Sequence, residues 1–257
     1  RKKKLNNLLS LKQVNEIKRY KYSFNHWLKR NGEAPVFIDS FAIANNIKRF
    51  EQYFKNKGYF NTKVEVQKIL KTNQKGTVKY SIQTEDQFTI DSIKQEINSP
   101  ALDSLYNLSL KNRLIKKGDP FEINRFEAER NRLISYFRNN GVYNFQQNNI
   151  QFTAAIDSSG IDTKIPVVVK ISNFQKREND SLSIIPYQIH KVKKINLYID
   201  SAGQLEQYSA FTDSLKLDKI NIFYKGKLKY KPKALEEVIF IEKEKPYSDF
   251  TRSLTYR

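Results

Sequence analysis

Residues 41–60 read FAIANNIKRFEQYFKNKGYF, residues 124–143 read NRFEAERNRLISYFRNNGVY, and the second stretch echoes the first. An offset of 83 residues lays Phe54 on Phe137, Tyr53 on Tyr136, Asn56 on Asn139 and Gly58 on Gly141. An ordered match at a fixed offset marks a repeated structural unit. In the first copy Ile43, Ile47, Phe50 and Phe54 form one apolar stripe, which predicts a helix of roughly 17 residues. In the second, Phe126, Leu133, Ile134 and Phe137 occupy the corresponding face. Both helices close on glycine, at Lys57-Gly58 and Asn140-Gly141, where a left-handed residue lets the chain reverse. Aromatics follow each turn, Tyr59-Phe60 in the first and Tyr143 with Phe145 in the second.

Two alternating runs follow each turn and predict a hairpin. In the first copy they are Lys63 to Leu70, with Val64, Val66 and Ile69, and Thr77 to Thr84, with Val78, Tyr80 and Ile82. In the second they are Asn149 to Ile156 and Ile161 to Ser172, where Ile165, Val167, Val169 and Ile171 share a face. Upstream of the second copy, Phe88 to Ile97 predicts a strand. Pro100 to Leu110 predicts a short helix with proline at its first position behind Ser99. The unit therefore runs β-α-α-β-β, an α+β fold. A third unit begins with Tyr187 to Ile199 as a long strand and Pro232 to Phe240 as a short helix. Lys245 to Phe250 then repeats the connector around Asp119-Pro120-Phe121. The expected organisation is a partial unit with an irregular amino-terminal insertion at 1–86, a complete unit at 87–174, a polar linker at 175–186, and a unit at 187–257 cut within its second helix. A short amphipathic helix is expected around Phe24 to Lys29.

The chain has 257 residues, 39% of them hydrophobic and 13% aromatic, enough to build packed cores rather than a disordered basic tail. It begins at Arg1 and reads as an excerpt of something longer. Without cysteine it has no disulfide, thiolate metal site or cysteine nucleophile. No run of about 18 apolar residues is present to span a bilayer as a helix. Its two histidines, His26 and His190, lie apart and read as surface or rim residues. With no HExxH, Gly-x-Ser-x-Gly, Walker or GxGxxG pattern, no catalytic residue, metal site or cofactor is expected, and no enzyme. Lys and Arg number 46 against 27 Asp and Glu, a net charge of +19, which fits nucleic acid, an anionic membrane surface or an acidic partner. The lysines read as scattered, and the aromatics that could stack bases, Tyr59, Phe60 and Tyr80, sit where a helix-covered sheet needs core. No RNP or Gly-x-x-Gly pattern accompanies the charge.

Gly32-Glu33-Ala34-Pro35-Val36, the helix ending Tyr53 to Phe60, the run Gly118-Asp119-Pro120-Phe121 to Glu129-Arg130-Asn131-Arg132-Leu133, and the closing Phe137 to Tyr143 together resemble the POTRA domains of the BamA/TamA superfamily. The helix ending in Gly-Tyr-Phe is similar to a common mark of this domain. Gly-Glu-Ala-Pro-Val and Glu-Arg-x-Arg resemble the TamA-like branch called TamL. The resemblance implies tandem POTRA domains, each a three-stranded mixed sheet covered by two helices on one face. It implies a periplasmic place beside the Gram-negative outer membrane and a carboxy-terminal β-barrel outside this chain. It also implies a role in outer-membrane protein assembly, transport and membrane biogenesis, receiving unfolded outer-membrane proteins or a TamB-like partner. The second strand of each unit would lie at an open edge and take up another strand by β-augmentation. The implied partner-binding residues are Val64, Val66, Ile69, Ile150 and Phe152, with Gly58, Tyr59, Phe60, Gly141 and Tyr143 as structural turns. Proline at Val66 or Ile150 would then weaken client binding. The alternatives are the POTRA region of the BamA core insertase itself, a basic nucleic-acid-binding module, and a lipid-surface binder whose lysines orient the tandem against anionic lipid.

Overall fold

A computed structural model of the chain describes residues 37–71, 75–156, 162–178, 181–199 and 211–256, with short stretches at 12–13, 15–16, 26–28 and 30–32. Of the helix expected around Phe24 to Lys29, residues 26–28 are described and helical; the rest of that expectation lies outside the described residues. Contacts divide the chain into two compact units, residues 1–48 with 66–80, and residues 49–65 with 81–257.

The first repeat forms α1 (Ser40–Asn56), 17 residues long, followed by β1 (Lys63–Leu70) and β2 (Gly76–Gln83), which pair as a two-stranded sheet. The start of α1 is capped by Asp39, whose carboxylate accepts the Phe41 and Ala42 N–H groups at 3.0 and 3.2 Å. Its end is a Schellman turn: Tyr59 N–H donates to Phe54 O at 2.9 Å and Gly58 N–H to Lys55 O at 3.0 Å, with Gly58 at φ +87°.

The second repeat sits in a complete layer structure. β3 (Thr89–Ile97), α2 (Pro100–Ser109), α3 (Ile123–Asn139), β4 (Ile150–Ala154) and β5 (Lys164–Ile171) follow in that order. The sheet order is β3-β5-β4, with β3 parallel and β4 antiparallel to the central β5. This is the β-α-α-β-β unit read from the sequence, an α+β fold with a mixed three-stranded sheet. Alternation along β5 turns Ile165, Val167, Val169 and Ile171 inward, all nearly inaccessible, while Lys164 and Lys170 face solvent. Leu102, Leu105 and Tyr106 of α2 and Phe126, Leu133 and Phe137 of α3 close over that face. Proline in a central strand is unusual, and the structure shows how Pro166 is accommodated. Its missing N–H lies on the β4 side of β5, past the end of the β4 ladder at Ala154 opposite Val167, while on the other side the register shifts so that β3 passes from Ile90 to Ser92 across one step of β5.

Two expectations are corrected downstream. The polar run at 175–186, read as a linker, holds an antiparallel hairpin of β6 (Phe174–Glu178) and β7 (Ser181–Ile185). Tyr187 to Ile199 is not one long strand, because only β8 (Asn196–Ile199) is ladder-paired. The backbone before it bonds instead to two loops. Val192 N–H donates to Lys245 O at 2.9 Å, and Glu244 N–H to Val192 O at 2.8 Å. Two strands that alternation did not reveal, β9 (Asp213–Lys216) and β10 (Asn221–Tyr224), complete a sheet of order β8-β10-β9. At four residues each, they are too short to show a period. The chain then forms α4 (Pro232–Glu237) and α5 (Asp249–Thr255).

Glu244 has φ +63°, the one non-glycine residue with positive φ among those described. The connector repeat places it where Gly118, at φ +87°, bonds Ile90 O at 2.7 Å. A side chain in the left-handed region costs about 1 kcal/mol. Glu244→Gly is therefore expected to raise the unfolding free energy by up to about 1 kcal/mol in urea titration, and no gain would contradict this.

Candidate functional site

The candidate site is the free edge of β4. In its register Ile150, Gln151, Phe152, Thr153 and Ala154 face Ile171, Lys170, Val169, Val168 and Val167. Ser172 N–H donates to Asn149 O at 2.9 Å, which makes that pair a hydrogen-bonded one. In an antiparallel ladder bonded and non-bonded pairs alternate, so Gln151 and Thr153 direct their N–H and C=O groups toward β5. Those of Phe152 and Ala154 point away from it, onto the open edge. The Ile150 N–H is already spent on Gln147 O, closing a short 3₁₀ turn at Gln147–Asn149. Beside the strand lies an open groove of about 670 Å³, lined by Arg130 of α3, the Gln146 to Asn148 run, Ile150 and Gln151. The opposite edge differs. The amino-terminal half of β3 is covered by the connector, where Ile90 N–H donates to Asp119 O at 2.9 Å and Phe121 N–H to Phe88 O at 2.9 Å.

The partner-binding residues expected from the sequence are placed unevenly. Ile150 is only 2% exposed and belongs to the core, so its side chain is not available to a partner. Phe152 is half-buried, edge-to-face with Phe126 at 5.3 Å and beneath the Arg130 guanidinium at 5.5 Å. Val64 and Val66 are half-buried on β1, and Ile69 is exposed. What β4 offers outward is backbone rather than these side chains.

The turn residues are brought together in two matching clusters. Phe88 N–H donates to Gly58 O at 2.9 Å, and His190 N–H to Gly141 O at 2.9 Å. Phe60 packs against Phe88 and Phe121 at 5.0 and 5.8 Å; Tyr143 packs against His190 and Tyr247 at 4.9 and 5.9 Å. His190 thus stands in the place of Phe88, as one ring of a packing trio. Tyr59 closes the Schellman turn, its ring 6.1 Å from Phe54. In the second cluster the Gly141 N–H is diverted from its own helix to Tyr247 O at 2.9 Å. Arg138 pairs with Asp249 at 2.7 Å, and Asn139 Oδ1 accepts from Ser248 Oγ and from the Phe250 N–H.

The Glu-Arg-x-Arg stretch has an internal structural role that spacing alone did not reveal. Glu129 is 1% exposed; its carboxylate is gripped by Arg132 Nε and Nη2 at 2.8 and 2.7 Å and accepts the Leu114 N–H at 2.9 Å. Arg132 also reaches Ser109 O at 3.4 Å, at the end of α2. Glu127 pairs with Arg130 at the groove. Burial pushes the nearby Tyr106 hydroxyl above its ordinary range, with Arg113 pulling it down and Glu129 adding to the rise. Ser99 precedes Pro100 as expected but does not cap α2. Its hydroxyl donates to Asn173 Oδ1 at 2.7 Å and accepts the Tyr187 N–H at 2.9 Å. Among the described residues no group of His, Cys, Asp and Glu is placed to hold a metal ion, and no helix is long and apolar enough to cross a membrane.

No protein-family model and no curated protein matches this chain. Among solved structures, it is similar to the crystal structure of the third to fifth POTRA domains of Haemophilus influenzae BamA, with 11% identity and a TM-score of 0.37, over 83% of this chain and 66% of that one. It is also similar to BamA of Haemophilus ducreyi lacking POTRA domains 1–3, with 12% identity and a TM-score of 0.34, over 57% of this chain and 26% of that one. The chain therefore spans less than two thirds of either. The fold assignment rests on the strand order and pairing of β3, β5 and β4.

Proposed function

We propose that this chain is the periplasmic POTRA region of an outer-membrane β-barrel assembly or translocation protein of the TamA-like branch, and that it binds client or partner strands by β-augmentation. The tandem would comprise units at 1–86, 87–174 and 187–257, and would hand unfolded outer-membrane protein or a TamB-like partner toward a carboxy-terminal barrel. The observation that carries the reading is the β4 edge, where the Phe152 and Ala154 N–H and C=O groups point away from β5 beside an open groove. Backbone bonds of this kind give affinity with little demand on side-chain sequence, as a handler of many clients requires. The same role is proposed for β1.

The structure changes which proline variant tests this. Ile150→Pro would disturb the core and the bond to Gln147, whereas the Ala154 N–H faces the open edge, where proline is tolerated. Ala154→Pro is expected to keep the fold and weaken binding of an extended outer-membrane-protein peptide by about tenfold, the equivalent of one or two backbone hydrogen bonds. Circular dichroism checks the fold and fluorescence anisotropy the binding; unchanged affinity in the folded variant would overturn the proposal.

A further inference from the structure

Lysines that are scattered along the sequence are gathered by the fold at one place. Lys193 and Lys194 precede β8, Lys216 ends β9, Lys219 lies in the turn to β10, and Lys243 comes from the connector; all five line an open cleft of about 400 Å³. Asp218 and Glu244 are the acidic residues of that lining, so five cations face two anions. None of the five lysines makes an ion pair among the described residues. Glu236, a further carboxylate beside the cleft, already accepts the Lys219 backbone N–H at 2.8 Å.

Like charges held within a Debye length of about 8–10 Å raise the local potential and concentrate anions. A carboxylate brings a single charge to such a cluster. A phosphate brings more, with several acceptor oxygens that flexible ammonium groups can share. No aromatic residue lines the cleft to stack a base. We propose that this cleft is a binding site for a phosphate-bearing anion, either a soluble phosphate or the headgroup of an anionic lipid. The site is separate from the β4 edge and stands or falls independently of the strand-docking reading.

The test compares the whole chain with a cleft variant, Lys194→Gln with Lys216→Gln and Lys219→Gln, and with a control, Lys227→Gln with Lys229→Gln and Lys231→Gln, which removes equal charge outside the cleft lining. Pyrophosphate is titrated by amide NMR, and vesicles of phosphatidylglycerol in phosphatidylcholine are used in flotation. Saturable shifts of the amides at 193–195 and 216–221 are expected, lost in the cleft variant and kept in the control. Basic residues at an anionic surface are each worth about fivefold, so the cleft variant should lose vesicle binding about a hundredfold while the control stays within about threefold. Pyrophosphate shifts without vesicle binding identify a soluble phosphate as the source; lysine-dependent vesicle binding identifies a lipid headgroup. Equal losses in the two variants, or cleft amides and vesicle binding that ignore these lysines, would overturn the proposal. Peptide affinity at β4 should be the same in the cleft variant as in the parent chain.

Discussion

Glu129→Ala is expected to lower the unfolding free energy by about 3–5 kcal/mol, a large part of the 5–15 kcal/mol typical of a domain. The side chain is buried at 1% exposure and serves three donors: Arg132 Nε, Arg132 Nη2 and the Leu114 N–H. Its removal leaves a guanidinium that is 17% exposed without its counter-charge and a loop amide without an acceptor. It also unties the connector from α3 and loosens the hold of Arg132 on the end of α2. Replacing the pair together, Glu129→Leu with Arg132→Leu, should recover much of the loss, because no unpaired charge then stays behind. Urea titration of both variants checks this. A single variant within about 1 kcal/mol of the parent would show that the network is solvated and does not hold these elements together.

Gly58→Ala carries the second large effect, about 3 kcal/mol. The residue sits at φ +87°, and an added Cβ would stand 2.8 Å from Phe121 O and 3.3 Å from Phe88 O. Both obstacles are backbone carbonyls, and Phe88 O already accepts the Phe121 N–H at 2.9 Å, so neither can swing aside as a flexible side chain would. The left-handed conformation contributes about 1–2 kcal/mol of the cost and the displaced backbone the rest. Gly118→Ala separates the two contributions. Gly118 has the same φ of +87° but nothing within 4 Å of its Cβ position, so only the conformational part, about 1 kcal/mol, is expected. Equal losses at the two glycines would mean that the close approach at Gly58 relaxes freely.

Much of the repeat was legible because long amphipathic periods leave strong signals. The 17-residue helices α1 and α3, the glycines that end them and the inward face of β5 follow from apolar spacing and turn chemistry. The equivalence extends to single bonds: Tyr59 N–H to Phe54 O is matched by Val142 N–H to Phe137 O at 3.0 Å, again 83 residues on. Short or non-local features were not legible. The apolar run Ile189, Val192, Ile195, Leu197 and Ile199 resembles a long strand, yet Ile189 is exposed and the backbone before β8 is held by Gly141, Lys245 and Tyr247. Only the tertiary arrangement decides that. The β6 and β7 hairpin was hidden in a polar run because its partners, such as Arg177 opposite Leu182, form no buried face. The roles of Glu129 and Ser99 depend on residues that are 15 and 88 positions away, which local pattern cannot report.

At the candidate site, the sequence located the strand but not which of its peptide groups face outward. Ile150 and Phe152 alternate as an edge strand should, and they turn their side chains toward the helices. The proposed docking uses the peptide groups that alternation leaves on the outer side, a parity that becomes visible only once the register with β5 is known.

Residue-resolved amide hydrogen exchange of β4, with and without an extended outer-membrane-protein peptide, tests strand docking most directly. The Phe152 and Ala154 amides should gain protection as the peptide binds, while Gln151 and Thr153, already bonded to β5, should hold their protection unchanged. Saturable peptide binding with no added protection at Phe152 and Ala154 would contradict docking on this edge.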